Sequence, residues 1–331
     1  MNEREIRIKK HLSDFFRDSA QRAKQKNCAL CGAECSSFAN SHSVPQFVMK
    51  RIAVKGKFVT FSDIVGLPNS KNGINNTWTF HVICSKCENH YFKDYEQETV
   101  LLEPPSNKIM AEIALKNSLL MLHKYRIDRE SNNKSINLGT FVGETDVLPI
   151  MNTLDIDNTS FDIKRSKKII DNNLKSGYHL VYYNLLDWVT PMAFQGSICV
   201  YRSFDGKIIN QIYSESKNIR MQQLHVTVFP LKEKTAVMMF FHKDDRNYIP
   251  FERQFLKMSD DDKLQYINYL IFKYTEHMIL SPQINSTILK DSNLIDLCNE
   301  NTHDLFNFIE IIAPKDVPNF LSKKVALSNL V

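Results

Sequence analysis

A chain of 331 residues with 43% hydrophobic content, 21 Phe and 12 Tyr can fill the cores of two domains of ordinary size. Only nine glycines are present, with no Walker-type loop and no dinucleotide fingerprint, which excludes the common nucleotide-binding classes. The formal net charge of +5 lies entirely within residues 1–100, a distribution that suits a polyanionic partner or a solvated helix face.

The opening stretch MNEREIRIKKHLSDFF is charged and amphipathic and lacks the apolar core of a signal peptide. No apolar run is long enough to span a bilayer. A cytoplasmic protein without a membrane partner is therefore expected. Apolar residues at helical spacing, Ile6, Leu12, Phe15, Phe16 and Ala20, predict one helix over residues 2–26. Lys55-Gly56-Lys57 reads as a turn between short strands around Ile52–Val54 and Phe58–Phe61. Thr77–Ile83 alternates and is β-prone, and a helix is expected after Cys87, through Tyr91, Phe92, Tyr95 and Val100.

Pro104-Pro105 marks a boundary, with Ser106 as cap of a buried helix to about Tyr125. Residues 128–140 read as a polar loop and 155–176 as mixed structure. Five segments then read as strands: GYHLVYYNLL, GSICVYRSF, GKIINQIYSE, QQLHVTVFPL and TAVMMFFHK. Asp205-Gly206 signals a hairpin. Ser259 followed by three aspartates predicts a capped helix, and short helices close the chain. The expected class is α+β. Residues 1–103 form the basic N-terminal helix and a zinc-stabilised unit, and 104–176 a helical and irregular connector. Residues 177–331 form a mixed domain with a mainly antiparallel sheet and C-terminal helices.

The chemistry concentrates in two Cys-x-x-Cys knuckles, Cys28 with Cys31 and Cys84 with Cys87, separated by 52 residues. In a reducing compartment four such thiolates favour one structural zinc ion over disulfides. Cys35 is a spare or an alternative ligand, whereas Cys199 and Cys298 read as core residues. Ser41-His42-Ser43-Val44-Pro45 comes after the first knuckle, and Glu88 adjoins the second without a gap. For a lone histidine the usual role is structural. Its place between the knuckles and before Pro45 makes His42 a candidate base, since a neutral imidazole suits proton transfer near pH 7. Glu88 reads equally as a helix N-terminal acid, a role compatible with binding a cation. His90 stands open between surface and site. His81, Trp78 and Phe80 read as strand and core.

Over residues 25–100 this pattern resembles the HNH, or His-Me finger, endonucleases in a zinc-containing variant with Ser-His-x-x-Pro and Cys-x-x-Cys-Glu. The resemblance implies an N-terminal ββα-metal, treble-clef-like unit that hydrolyses phosphodiester bonds of nucleic acid, DNA in the first instance. His42 would be the general base. Glu88, Ser41 and His90 would be candidate ligands of a catalytic magnesium or manganese ion. The family usually has Asp, Glu or His where this chain has Ser41, and His where it has Glu88; Asn40 is the nearest substitute for the first. Its middle asparagine has Asn75 and Asn76 as nearest counterparts. Glu96 could add to the shell, but on one continuous helix it would lie about 12 Å from Glu88, which ranks Glu88 above it. Lys50, Arg51, Lys55, Lys57, Lys86 and Lys93 are candidates for phosphate contacts. Residues 177–331 carry no motif and would serve a protein partner or regulatory ligand; appended nucleases of this kind resemble components of bacterial antiviral defence. The alternative readings are a non-catalytic zinc module for nucleic acid or protein, and a purely structural knuckle in a scaffold subunit.

Overall fold

The computed structural model describes residues 14–303, apart from 16, 62–72, 138–146, 212–213 and 215. The expected N-terminal helix therefore lies partly outside the described residues; within them, 17–22 are helical and the chain leaves the helix before Cys28. The closing residues 304–331 lie outside as well.

Two strands of two residues each, β1 (Ser41–His42) and β3 (Thr79–Phe80), pair antiparallel with His42 opposite Thr79. Between them come α1 (Gln46–Ile52) and β2 (Val59–Thr60). The expected strand around Ile52 is instead the end of α1. Pro45 presets the backbone entering the helix, and Val48, Met49 and Ile52 share its buried face. The turn itself is where the sequence places it. Lys55 and Gly56 both adopt positive φ (50° and 73°), the two-residue geometry that matches strand twist.

After β3 the expected strand is cut short. The carbonyls of Val82 and Ile83 accept from Ala29 and Ala39 at 2.9 and 2.8 Å, so the chain pairs with the first knuckle instead of extending the ladder. Next comes α2 (Ser85–Phe92). It does not run on to Val100. The chain turns at 93–96 and enters a short 3-10 segment, Glu98–Leu102.

The helix after the proline pair, α3 (Asn107–Asn137), starts where Ser106 Oγ accepts from Ile109 N at 3.3 Å. It extends well past Tyr125, through much of the expected polar loop. The second long helix, α4 (Val147–Asp171), replaces most of the mixed structure expected there. The two helices pack along each other, and tertiary packing of this kind carries polar sequence into helix that propensity alone would leave open.

The C-terminal half builds β4 (Tyr178–Leu186), β5 (Met192–Ile198), β6 (Leu224–Pro230) and β7 (Thr235–His242). Beyond them lie α5 (Tyr248–Phe255), α6 (Asp260–Tyr274), β8 (Ile279–Leu280), α7 (Ser286–Leu289) and α8 (Ser292–His303). The sheet order is β2-β8-β5-β6-β7-β4, every pairing antiparallel. GSICVYRSF is strand only at its start. Its remainder turns at Gly206 (φ 81°), leaving one Arg202–Ile208 bridge, and GKIINQIYSE adds no further named strand among the described residues. The N-terminal β2 enters this sheet through β8, a pairing with no local signal in the sequence.

Interior strand β7 is buried along all eight residues. Its alternation divides two cores. Ala236, Met238 and Phe240 face the knuckles, α3 and α4, while Val237, Met239 and Phe241 face α5, α6 and α8. Among the described residues no helix is long and apolar enough to cross a membrane.

Several polar groups inside the first core pair with one another. Arg165 holds Asp245 through two bonds of 2.8 and 2.9 Å, and Asp162 at 3.0 Å. Asn117 joins Gln195 (3.0 Å) to His225 (3.2 Å) across α3 and the sheet. Burial first, then the charge of Arg165, pushes the His225 imidazole down to about 3. From there up to its ordinary value of about 6.5 the unfolded chain binds a proton that the folded chain refuses. Stability from this group is therefore complete above pH 6.5 and is lost as pH falls, by up to about 1.4 kcal/mol per pH unit. His225→Gln should flatten the decline of Tm from pH 6.5 to 4.5 relative to wild type, as read by thermal melts across that range.

Candidate metal centre and adjoining polar site

The four knuckle sulfurs converge although 52 residues separate the pairs. Their Sγ atoms all lie within 4.8 Å of one another, with Cys31 and Cys84 at 4.0 Å. A tetrahedron with bonds of about 2.3 Å places sulfurs about 3.8 Å apart, whereas a disulfide needs about 2.05 Å. The cluster therefore fits a bound metal ion such as zinc and not a pair of disulfides. The first knuckle closes because Gly32, at φ 72°, donates back to the Cys28 carbonyl at 2.9 Å, while Cys28 N bonds Ala33 O at 2.9 Å. The second knuckle is the start of α2, where Cys84 is the N-cap residue and its N–H points at Cys28 Sγ (3.4 Å).

The thiols cannot all ionise on their own. Burial opposes ionisation of Cys28, yet N–H groups of Cys31, Cys84 and Leu30 outweigh it and bring the thiol down to about 7. Burial and the other three sulfurs push Cys87 far up. A divalent cation removes that conflict by neutralising the thiolates together. Cys35 stands outside the cluster, its Sγ directed to Ala33 O at 3.3 Å. Cys199 accepts from Gln223 Nε2 at 3.0 Å, and Cys298 is buried in α8.

The clamp positions the residues next to each knuckle. Glu88, in the first turn of α2, accepts a hydrogen bond from Ser41 Oγ at 2.6 Å across 47 residues. His42, next along β1, is half-buried and its Nε2 lies 2.9 Å from the Ile74 carbonyl. A carbonyl only accepts, so Nε2 carries the hydrogen and the neutral ring keeps its lone pair on Nδ1. Burial lowers the His42 pKa below the ordinary 6.5. The Ile74 carbonyl opposes that shift, the Lys116 charge adds to it, and Glu88 and Glu96 pull the other way.

Lys116 is a site residue that the sequence does not single out. Its side chain is 1% exposed, and its ammonium pairs with Glu88 Oε1 at 3.2 Å and also with Glu96 Oε1. It sits 4.5 Å from the centre of the Phe92 ring and 5.4 Å from that of Tyr95. The expected 12 Å separation of Glu88 and Glu96 does not arise, because α2 ends at Phe92 and the turn folds Glu96 back. One face of α3 holds that turn through residues four apart: Lys108 pairs with Asp94 at 2.5 Å, Glu112 accepts from Tyr95 N at 3.0 Å, and Lys116 takes Glu96. The one signal for it is a lysine and an asparagine, Lys116-Asn117, amid the mostly apolar run from Ile109 to Leu122.

The other candidates lie elsewhere. His90 is exposed, stacks edge-on with Tyr91 at 4.7 Å and lies close enough to Asp171 of α4 for its charge to act there. Asn40 bonds the Asn75 carbonyl at 3.0 Å. Arg51 is committed to Glu98 at 2.7 Å, and Lys50, Lys55, Lys57, Lys86 and Lys93 are exposed. Trp78 (φ 50°) and His81 line a cleft of about 410 Å³ on β3, together with Thr79 and His123.

As donors for a second, harder cation, Glu88 and Glu96 offer oxygens of the right kind for magnesium or manganese, with their side chains 20% and 36% exposed. Among the described residues only the four cysteines converge as three or more metal-ligating side chains. Such an ion would therefore rely on two carboxylates and water. No protein-family model, curated protein or solved structure matches this chain.

Purified under reducing conditions, the protein should carry one equivalent of metal by elemental analysis. Cys84→Ser should lose that metal and melt at least ~10 °C lower, while Cys35→Ser should keep both properties.

Proposed function

We propose that this chain is a zinc-stabilised nuclease of the ββα-metal type that hydrolyses nucleic-acid phosphodiesters, DNA in the first instance. The observation that carries the reading is the Ser41–Glu88 hydrogen bond, which sets a carboxylate beside the residue preceding His42. An antiparallel strand pair bearing a histidine, with a carboxylate-bearing helix after it, is the arrangement that the resemblance to HNH endonucleases implies.

In this reading His42 Nδ1 takes a proton from the water that attacks phosphorus. The Ile74 carbonyl holds Nε2–H, fixing the tautomer and steadying the ring once it is charged. Burial shifts the imidazole toward its neutral form, so the base remains competent at neutral pH. Ser41 and Lys116 hold Glu88 from two sides. A magnesium or manganese ion bound at Glu88 and Glu96 would neutralise the scissile phosphate. Lys50, Lys55, Lys57 and Lys86 supply exposed positive charge for the flanking phosphates.

A second reading, a zinc module that binds nucleic acid or protein without cutting, is favoured by one feature. The Ser41 hydroxyl, standing where an acidic ligand is usual, is already engaged by Glu88. Salt-dependent binding without strand scission would identify that case.

Wild-type protein with manganese should nick or linearise plasmid DNA, and His42→Ala should be slower by about 10²–10⁴-fold with metal content and Tm unchanged. The wild-type rate should fall on the acid side with a midpoint below pH 6.5. Equal rates for the two proteins would remove His42 from the mechanism.

A further inference from the structure

We infer that Lys116 is the resident counter-ion of the Glu88–Glu96 pair and sets how tightly a divalent cation binds there. This rests on the reading that the pair serves the nuclease site. The ammonium approaches from inside the fold. Its side chain is 1% exposed against the rings of Phe92 and Tyr95, whereas the two carboxylates remain partly open to solvent. Lys116 thus cannot meet a substrate; it acts through the carboxylates and is a positioning residue.

Two carboxylates offer two negative charges, and the ammonium cancels one of them at contact distance. An arriving divalent cation finds a net single charge and also the repulsion of the ammonium. The pair is therefore held assembled without metal, and it binds metal loosely. A phosphodiester, itself an anion with oxygen donors, supplies the charge and ligands that Lys116 has withdrawn. The chemistry assigned is a site for an exchangeable hard divalent cation that is completed by a phosphate group.

The test is manganese titration by calorimetry on the full chain with its cysteine centre loaded. Lys116→Met, which keeps the volume of the buried stem, should bind manganese about tenfold or more tightly than wild type. Glu96→Gln, a change at a partly exposed residue, should weaken binding by about tenfold or more. Unchanged or weaker affinity in folded Lys116→Met overturns the inference, as does wild-type affinity in Glu96→Gln. If Lys116→Met does not fold, Glu96→Gln decides alone. Plasmid cleavage is scored separately: the expected affinity changes without any cleavage would sink the nuclease reading and leave the role of Lys116 standing.

Discussion

Four thiols brought within 4.8 Å of one another form the constraint on which the N-terminal region depends. Left without a cation they compete: one sulfur collects backbone N–H groups and ionises readily, while its buried neighbour is driven the other way. A divalent ion would turn that competition into a clamp joining residues 28–31 to residues 84–87. The segments adjoining the knuckles would inherit their position from that clamp. The β1–β3 pair, the cap of α2 and the Ser41–Glu88 bond each include or adjoin a segment that the clamp fixes.

The clamp explains approach, and α3 explains arrangement. Lys108, Glu112 and Lys116 hold the turn after α2, folding Glu96 back toward Glu88. Breaking a buried pair of this kind by removing one partner typically costs about 3–5 kcal/mol, although two carboxylates that reach solvent soften that cost. The same helix reaches the sheet through Asn117, Gln195 and His225. One helix therefore ties the polar site to the first core. The addition of β2 to the sheet edge gives the N-terminal region a second anchor there.

Much of this is legible in the sequence. Paired cysteine spacing locates the four-sulfur cluster, and Ser41 and Glu88 stand out by their places beside the knuckles. The turn at Lys55-Gly56, the capped helix at Ser259, and strands β4, β6 and β7 arise from local chemistry. The features that are not legible depend on long-range partners. Residues 128–137 are polar and read as loop, but they continue α3, which packs along α4. A 12 Å separation of Glu88 and Glu96 presumes a continuous helix, and the break after Phe92 has no glycine or proline to announce it. Lys116 is hidden because its meaning lies in carboxylates 20 and 28 residues upstream.

The most direct test of the clamp is zinc-edge X-ray absorption on the purified, reduced protein. The expected spectrum shows a shell of four sulfurs at about 2.3 Å with no nitrogen or oxygen ligand. A shell containing nitrogen or oxygen, or protein that folds with no bound metal at all, would contradict it.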